Sequence, residues 1–137
     1  MFLTFDTETT GLPKNFKADV SDSDNWPRLV QLAWQLNDEK GKLISNNSLI
    51  VKPEGFTIPY NSEKVHGIST EKALKEGEDL VDIIQKFEED VKKSKYIIGH
   101  NINFDLKIIG AEHFRISYNT DLNNKISIDT GQISKTY

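Results

Sequence analysis

One stretch of the chain, residues 29–36, alternates between large apolar side chains and mostly polar ones. The apolar positions are Val30, Leu32, Trp34 and Leu36. Since successive side chains of a β-strand point to opposite faces, this spacing predicts a strand with one buried face. A half-buried strand is usually antiparallel to its neighbour. The polar turn from Asn37 to Lys42 predicts a hairpin into another strand.

The segments around this strand predict a mixed α/β fold. We expect further strands over residues 2–7, 43–51, 96–98 and 126–128. We expect helices over residues 70–74, 79–93 and 102–113, the first preceded by Ser69 as its cap and ended near Gly77. Residues 10–28, and those around Pro53 and Pro59, are predicted to be loops. Three antiparallel strands followed by helix–strand–helix–strand indicate one mixed sheet flanked by helices.

Composition narrows the class of protein. The chain has 137 residues, 36% hydrophobic content and no cysteine, which indicates a single globular domain without disulfides. Its net charge of −4 is unlike that of a protein that coats a nucleic-acid duplex, although bound metal ions can supply positive charge locally. No apolar run is long enough to span a membrane and no leader segment is evident, so we expect a cytoplasmic protein.

Three acidic residues predict a metal site. Asp6 and Glu8 stand two positions apart on the first predicted strand, so their carboxylates share a face. Two carboxylates side by side on a buried strand repel each other unless a cation lies between them. Asp105, in the first turns of a predicted helix, is a third acid that could reach the same metals, although the helix dipole alone also favours an acid there. This pattern is typical of a divalent-metal site.

Other charged groups favour structural interpretations. The run Glu88–Asp90 is predicted to be a solvated helix face, paired on the outside with Lys92 and Lys93 four residues later. His113, near the end of a predicted helix, is expected to be a surface residue that complements the helix dipole.

Four polar residues leave more than one interpretation open. Asn101 and His100 stand at a strand-to-helix junction, where helix capping and backbone hydrogen bonding are favoured over contact with a ligand. His66, placed on a loop after Pro59, either contacts a substrate or holds the loop. Asp129 is interpreted as a helix cap in preference to a further metal ligand.

Two motifs together resemble a known family. Phe5-Asp6-Thr7-Glu8-Thr9-Thr10-Gly11-Leu12 and His100-Asn101-x-x-Phe104-Asp105 are similar to the first two motifs of the DnaQ-like, or DEDD, 3′→5′ exonucleases, to which proofreading subunits of DNA polymerases belong. The stretches 27–33, 66–69 and 128–130 also fit, so the resemblance covers nearly the whole chain. It implies an RNase H-like α/β fold with three antiparallel strands, then two parallel ones, in a five-stranded sheet.

The resemblance also implies a chemistry. Two divalent ions, Mg²⁺ or Mn²⁺, would be held by Asp6, which bridges both, by Glu8 and by Asp105. The reaction would be two-metal hydrolysis that releases nucleoside 5′-monophosphates. The residues implied to contact substrate are Thr7, Thr10, Gly11, Leu12, His66, Asn101 and Phe104.

The chain departs from the family pattern after Asp105. The DEDDh branch has a fourth acid and, five residues before it, a histidine that acts as general base. No His-x-x-x-x-Asp and no Tyr-x-x-x-Asp follows Asp105 in this sequence. We therefore expect residues 1–137 to be one exonuclease domain that is C-terminally incomplete, lacks the last helix, and exposes apolar surface on one face of its sheet. Such a chain would be a fragment of an active enzyme or would be completed by a partner.

The substrate stays open between alternatives. One is the single-stranded 3′ end of DNA, in proofreading or repair and with a DNA polymerase as partner. Another is short RNA, as in related oligoribonucleases. A third is a non-catalytic module that binds nucleotide ends, although three acids in one place are costly without metal.

Overall fold

The computed structural model describes residues 1–131 and is built around one five-stranded sheet. Its strands are β1 (Phe2–Thr9), β2 (Leu29–Asn37), β3 (Leu43–Ile50), β4 (Tyr96–Gly99) and β5 (Ile126–Asp129). They lie side by side in the order β3-β2-β1-β4-β5. Strands β1 to β3 pair antiparallel, and β4 and β5 add in parallel. The predicted fold class, with three antiparallel and two parallel strands, is confirmed.

The helices of the described residues are α1 (Tyr60–His66), α2 (Thr70–Glu76), α3 (Leu80–Lys93) and α4 (Ile102–Arg115). The last three match the predicted helices, and the Ser69 side chain caps α2 by accepting a hydrogen bond from the Lys72 amide. Helix α1 was not predicted, and the prediction that His66 lies on a loop was wrong. None of the residues of α1 is buried, so the helix has no apolar periodicity in the sequence.

The main core lies between the sheet and the helices α3 and α4. Leu3 and Phe5 of β1 point to this side, as does Trp34 of β2, whose ring meets the Phe87 ring edge-on at 5.3 Å. At the end of the sheet where β1 begins, the rings of Phe2 and Tyr96 stack with their centres 5.1 Å apart. Ile126, which pairs with Tyr96, is exposed there. The packing of α4 on the sheet brings the carboxyl end of β1 close to the start of that helix, where Thr7 contacts Asp105.

Two predictions about charged residues were wrong. Glu88 and His113 are only 1% and 3% exposed, and His113 Nε2 lies 3.0 Å from Glu88 Oε1 between α3 and α4. Asp90 is also buried, where its carboxylate accepts a hydrogen bond from the Trp34 indole at 2.9 Å. The physical reason is that a buried indole N–H and a buried imidazole both need polar partners, which the acids of α3 supply.

Two further expectations concern the number of domains and membrane-spanning helices. Residues 132–137 lie outside the described part, so the assignment of 1–137 to a single domain stays a prediction. Within residues 1–131, no helix is both long enough and apolar enough to cross a membrane.

Candidate active site

Strand β1 holds two of the predicted metal ligands. Asp6 and Glu8 share one face of β1, whereas Thr7 points to the other face, towards α4. In the described part of the chain the Asp6–Glu8 face is open: Asp6 is exposed and Glu8 is partly buried. The buried residues of β1 are the alternate ones, Leu3, Phe5 and Thr7, so the two acids lie on the open face of a strand whose other face is buried.

Helix α4 supplies the third acid. Asp105 lies in the first turn of α4 and is only 4% exposed. Its Oδ1 accepts a hydrogen bond of 2.5 Å from the hydroxyl of Thr7. The carboxylate of α4 is thus fixed against the strand that carries Asp6 and Glu8.

Burial and neighbouring negative charge raise the pKa of two of the acids. Burial raises the pKa of Asp105 to about 7, and the nearby charges of Asp6 and Glu8 add to the rise, whereas the hydrogen bond from Thr7 opposes it. Partial burial raises the pKa of Glu8 as well, with the charge of Asp6 adding to the effect and His66 opposing it. A bound cation would relieve this repulsion between carboxylates.

The donor set suits a hard divalent ion, since Mg²⁺ and Mn²⁺ prefer carboxylate oxygens. In residues 1–131 as they are arranged, however, no group of three or more His, Cys, Asp or Glu side chains is close enough together to hold a metal ion. The electrostatics of the site fit a metal, and the three-ligand set itself stays a prediction.

A cleft of about 460 Å³ opens beside Glu8. The predicted substrate-binding residues that line it are Thr7, Gly11, Leu12, His66 and Phe104. Its wall is partly apolar, with the exposed Leu12 on one side and the half-buried Phe104 on the other. An opening of this size, with an acid at its edge, can take one nucleotide-sized group.

Thr10 does not line this cleft. Its amide donates to the Arg28 carbonyl, its hydroxyl accepts from the Arg28 amide, and its carbonyl accepts from the Ser62 hydroxyl. Thr10 therefore fastens the start of the β1–β2 loop to α1. The next residue, Gly11, has φ of +154°, a conformation that favours glycine.

His66 ends α1 at the edge of the cleft. Its Nδ1 accepts a hydrogen bond from the Ile68 amide at 3.1 Å. Its Nε2 is buried and has no hydrogen-bond partner within residues 1–131. One nitrogen of His66 therefore holds the backbone, and a contact of His66 with a substrate stays a prediction.

Asn101 stands at the N-cap position of α4 in a left-handed conformation, but its side chain makes no capping hydrogen bond. Asn101 is exposed, and it is absent from the cleft lining. Its amide donates to Asp129 Oδ1, which also accepts from the Gly131 amide, both at 2.9 Å. The backbone-capping interpretation of Asp129 agrees with these two contacts.

The role of Glu112 could not be predicted from the sequence. Its carboxylate is fully buried in α4, accepts a hydrogen bond from the Leu29 amide at 2.8 Å and forms ion pairs with Arg28 and Arg115. A glutamate in a helix usually indicates a solvated position, so the sequence contains no signal for this contact. Through Arg28, Glu112 supports the loop that holds Thr10.

Two sequence comparisons match the chain to known proteins. The model of the exonuclease (RNase_T) family matches residues 3–137. DNA polymerase III subunit epsilon of Treponema pallidum (strain Nichols) is 31% identical over 111 residues, which cover 81% of this chain and 45% of that protein.

Solved structures show the same fold. A complex of E. coli exonuclease I with a dA16 oligonucleotide superimposes with a TM-score of 0.77 at 18% identity, and covers 98% of this chain. The metal-free form of the E. coli exonuclease I complex with single-stranded DNA gives a TM-score of 0.80 at 19% identity. The chain spans 29% of these solved chains and less than half of the curated relative. On the match of the family model to residues 3–137, the chain belongs to the exonuclease family.

Proposed function

We propose that this protein is a 3′→5′ exonuclease that hydrolyses the terminal phosphodiester bond of single-stranded DNA and releases nucleoside 5′-monophosphates. The observation that supports it most is the buried Asp105, which Thr7 fixes against the strand that carries Asp6 and Glu8, together with the nucleotide-sized cleft that Thr7 and Glu8 line. The family in general depends on divalent metals, and a set of mutually repelling carboxylates is consistent with that requirement.

In this proposal Asp6, Glu8 and Asp105 are the catalytic acids and the metal ligands. Two divalent ions, Mg²⁺ or Mn²⁺, would activate a water and neutralise the charge on the leaving 3′-oxygen. Thr7 keeps Asp105 in position. Leu12 and Phe104 hold the terminal nucleotide on its apolar faces, and His66 contacts it from the lining of the same cleft.

The sequence after Asp105 supplies no His-x-x-x-x-Asp. In our proposal residues 1–137 provide three of the acids, and no residue among them is assigned as the fourth acid or as the general base. A DNA polymerase is the partner we propose, since the curated relative is a DNA polymerase III subunit. A cytoplasmic location stays a prediction.

The test is an exonuclease assay on a 5′-labelled single-stranded DNA oligonucleotide with Mg²⁺ or Mn²⁺, using the full protein, its Asp6→Ala variant and a Glu89→Gln control at an exposed position of α3. We expect a metal-dependent ladder that Asp6→Ala abolishes and Glu89→Gln preserves. A ladder that persists in Asp6→Ala contradicts the assignment. Cleavage of an RNA oligonucleotide in preference to DNA would replace the proposed substrate, and metal-independent binding without any cleavage would favour a non-catalytic end-binding module.

A further inference from the structure

An exposed aromatic side chain lies between two lysines on the loop that follows β1. In the segment Lys14-Asn15-Phe16-Lys17, both lysines are exposed and the Phe16 side chain is 59% exposed. A large exposed aromatic group is unfavourable in water unless something covers it. Basic residues interleaved with an aromatic ring are the usual composition of a surface that binds single-stranded nucleic acid.

The loop that presents Phe16 is held in place on both sides. Asn25, which is buried, accepts a hydrogen bond from the Asn15 amide at 2.7 Å and donates one to the Asn15 carbonyl at 2.9 Å. The buried Trp26 indole donates to the Asp19 carbonyl at 2.9 Å. The Asn15 side chain accepts from the Lys17 amide. Because the backbone around Phe16 is already ordered, little conformational entropy would be lost when a ligand binds there.

Phe16 lies beside one wall of the cleft. Its ring centre lies 6.4 Å from that of Phe104, at an angle of 44°, and Phe104 lines the cleft. A strand whose last nucleotide enters the cleft past Phe104 would therefore pass the Phe16 ring next.

The charges around Phe16 suit a phosphate backbone. Neither Lys14 nor Lys17 forms an ion pair with any residue of the described part. The nearest following acid, Asp19, turns its carboxylate to the Ser21 hydroxyl and amide, and these hydrogen bonds hold its pKa below the usual value. The two lysines thus present positive charge beside the ring on an otherwise acidic chain.

We infer that Phe16 is a stacking platform for a base upstream of the 3′-terminal nucleotide, with Lys14 and Lys17 against the adjacent phosphates. The occupant is the single-stranded DNA whose 3′ end lies in the cleft. The inference rests on the proposed function for the direction of the strand, but it can be measured as binding in the absence of hydrolysis.

The experiment is fluorescence anisotropy with a labelled single-stranded DNA oligonucleotide and the full protein in EDTA, so that no metal and no cleavage are needed. The variants are Phe16→Ala and, as matched control, Phe114→Ala, which removes a phenylalanine that is 51% exposed at the far end of α4. Removal of one base-stacking ring should raise the Kd of Phe16→Ala about tenfold, and Phe114→Ala should leave it unchanged. Thermal unfolding of both variants checks that each is folded.

A second pair of variants, each with two substitutions, tests the lysines. Lys14→Gln with Lys17→Gln should lower the salt dependence of binding by about 0.7 in the slope of log K against log salt for each phosphate that a lysine no longer neutralises. Lys40→Gln with Lys42→Gln changes the net charge equally, at the hairpin beside the opposite end of β1, and should leave the slope unchanged.

The outcomes separate the inference from the proposed function. Equal Kd values for wild type, Phe16→Ala and Phe114→Ala, or no binding by the wild type, would overturn the inference, whatever the exonuclease assay shows. A selective loss of affinity in Phe16→Ala supports the stacking platform even where the exonuclease assay is negative.

Discussion

The hydroxyl of Thr7 lies 2.5 Å from Asp105 Oδ1, so one hydrogen bond joins a strand residue to a helix residue 98 positions later. Both side chains are buried. A buried carboxyl loses its hydration, and the hydroxyl replaces part of it. The orientation of Asp105 therefore depends directly on β1.

Replacing Thr7 by valine should destabilise the fold. The substitution keeps the β-branched shape but removes the donor to a buried carboxyl, which costs about 1–3 kcal/mol. Urea denaturation measures this loss of stability, and Thr4→Val, at an exposed position of the same strand, should change stability little. Equal stability of the two variants would show that the hydrogen bond contributes nothing. We also expect lower exonuclease activity in Thr7→Val, because Asp105 loses its orientation.

Divalent metal should stabilise the protein through its three acids. Binding to the native state alone raises stability by about 2.7 kcal/mol at a metal concentration 100 times the Kd. Thermal unfolding with and without Mn²⁺ should show this rise in the wild type and no rise in Asp105→Asn. The Glu89→Gln variant, which removes an exposed acid, should keep the full shift. A shift that survives in Asp105→Asn would place the metal elsewhere.

The free energy of unfolding should fall in acid, because Glu88 becomes protonated there. Burial alone would raise the pKa of Glu88, but its contacts with His113 and Thr120 outweigh burial and hold the pKa below 4.5. A lowered pKa means that the unfolded chain binds the proton more readily, so this contribution is present above pH 4.5 and disappears as pH falls through the lower native value.

The measurement for Glu88 is the melting temperature from about pH 7 to about pH 3 for wild type, Glu88→Gln and Glu89→Gln. We expect Glu88→Gln to be destabilised near neutral pH by about 1–3 kcal/mol and to show a weaker decline in acid. Glu89→Gln should follow the wild type. If Glu88→Gln declined as steeply as the wild type, the acid sensitivity would belong to other carboxylates.

Removal of the Glu112 carboxylate should be among the most damaging single changes in α4. Glu112→Ala would leave the Leu29 amide and the Arg28 guanidinium without their buried acceptor. Breaking a buried charge pair in this way costs about 3–5 kcal/mol. Urea denaturation checks the size, with Glu71→Ala at an exposed position of α2 as control. A destabilisation no larger than that of the control would mean that water replaces the carboxylate.

Most of the sheet and the helices α2, α3 and α4 could be predicted from the sequence, since their apolar residues recur at the period of each element. Strand β2 is the clearest case, because its alternating apolar side chains, Val30, Leu32, Trp34 and Leu36, are all buried. Helix α1 escaped prediction for the opposite reason, as it buries none of its residues. Pro59 stands directly before the helix and Gly67, with φ of +78°, directly after it, and these two residues indicate a loop as readily as helix ends.

The sequence by itself determined the order of the strands and of the helices α2, α3 and α4, and the family, and it predicted the acids Asp6, Glu8 and Asp105 as a site, because periodicity and motif spacing are local properties of the chain. Only the tertiary structure decided which of these groups are buried and what each one contacts. It placed Asp105 against Thr7, enclosed Glu88 with His113, and left Phe16 exposed beside the cleft. The physical reason is that burial and pairing depend on which distant segments pack together, and a charged residue on a helix has the same local sequence signal whether it faces water or a buried partner.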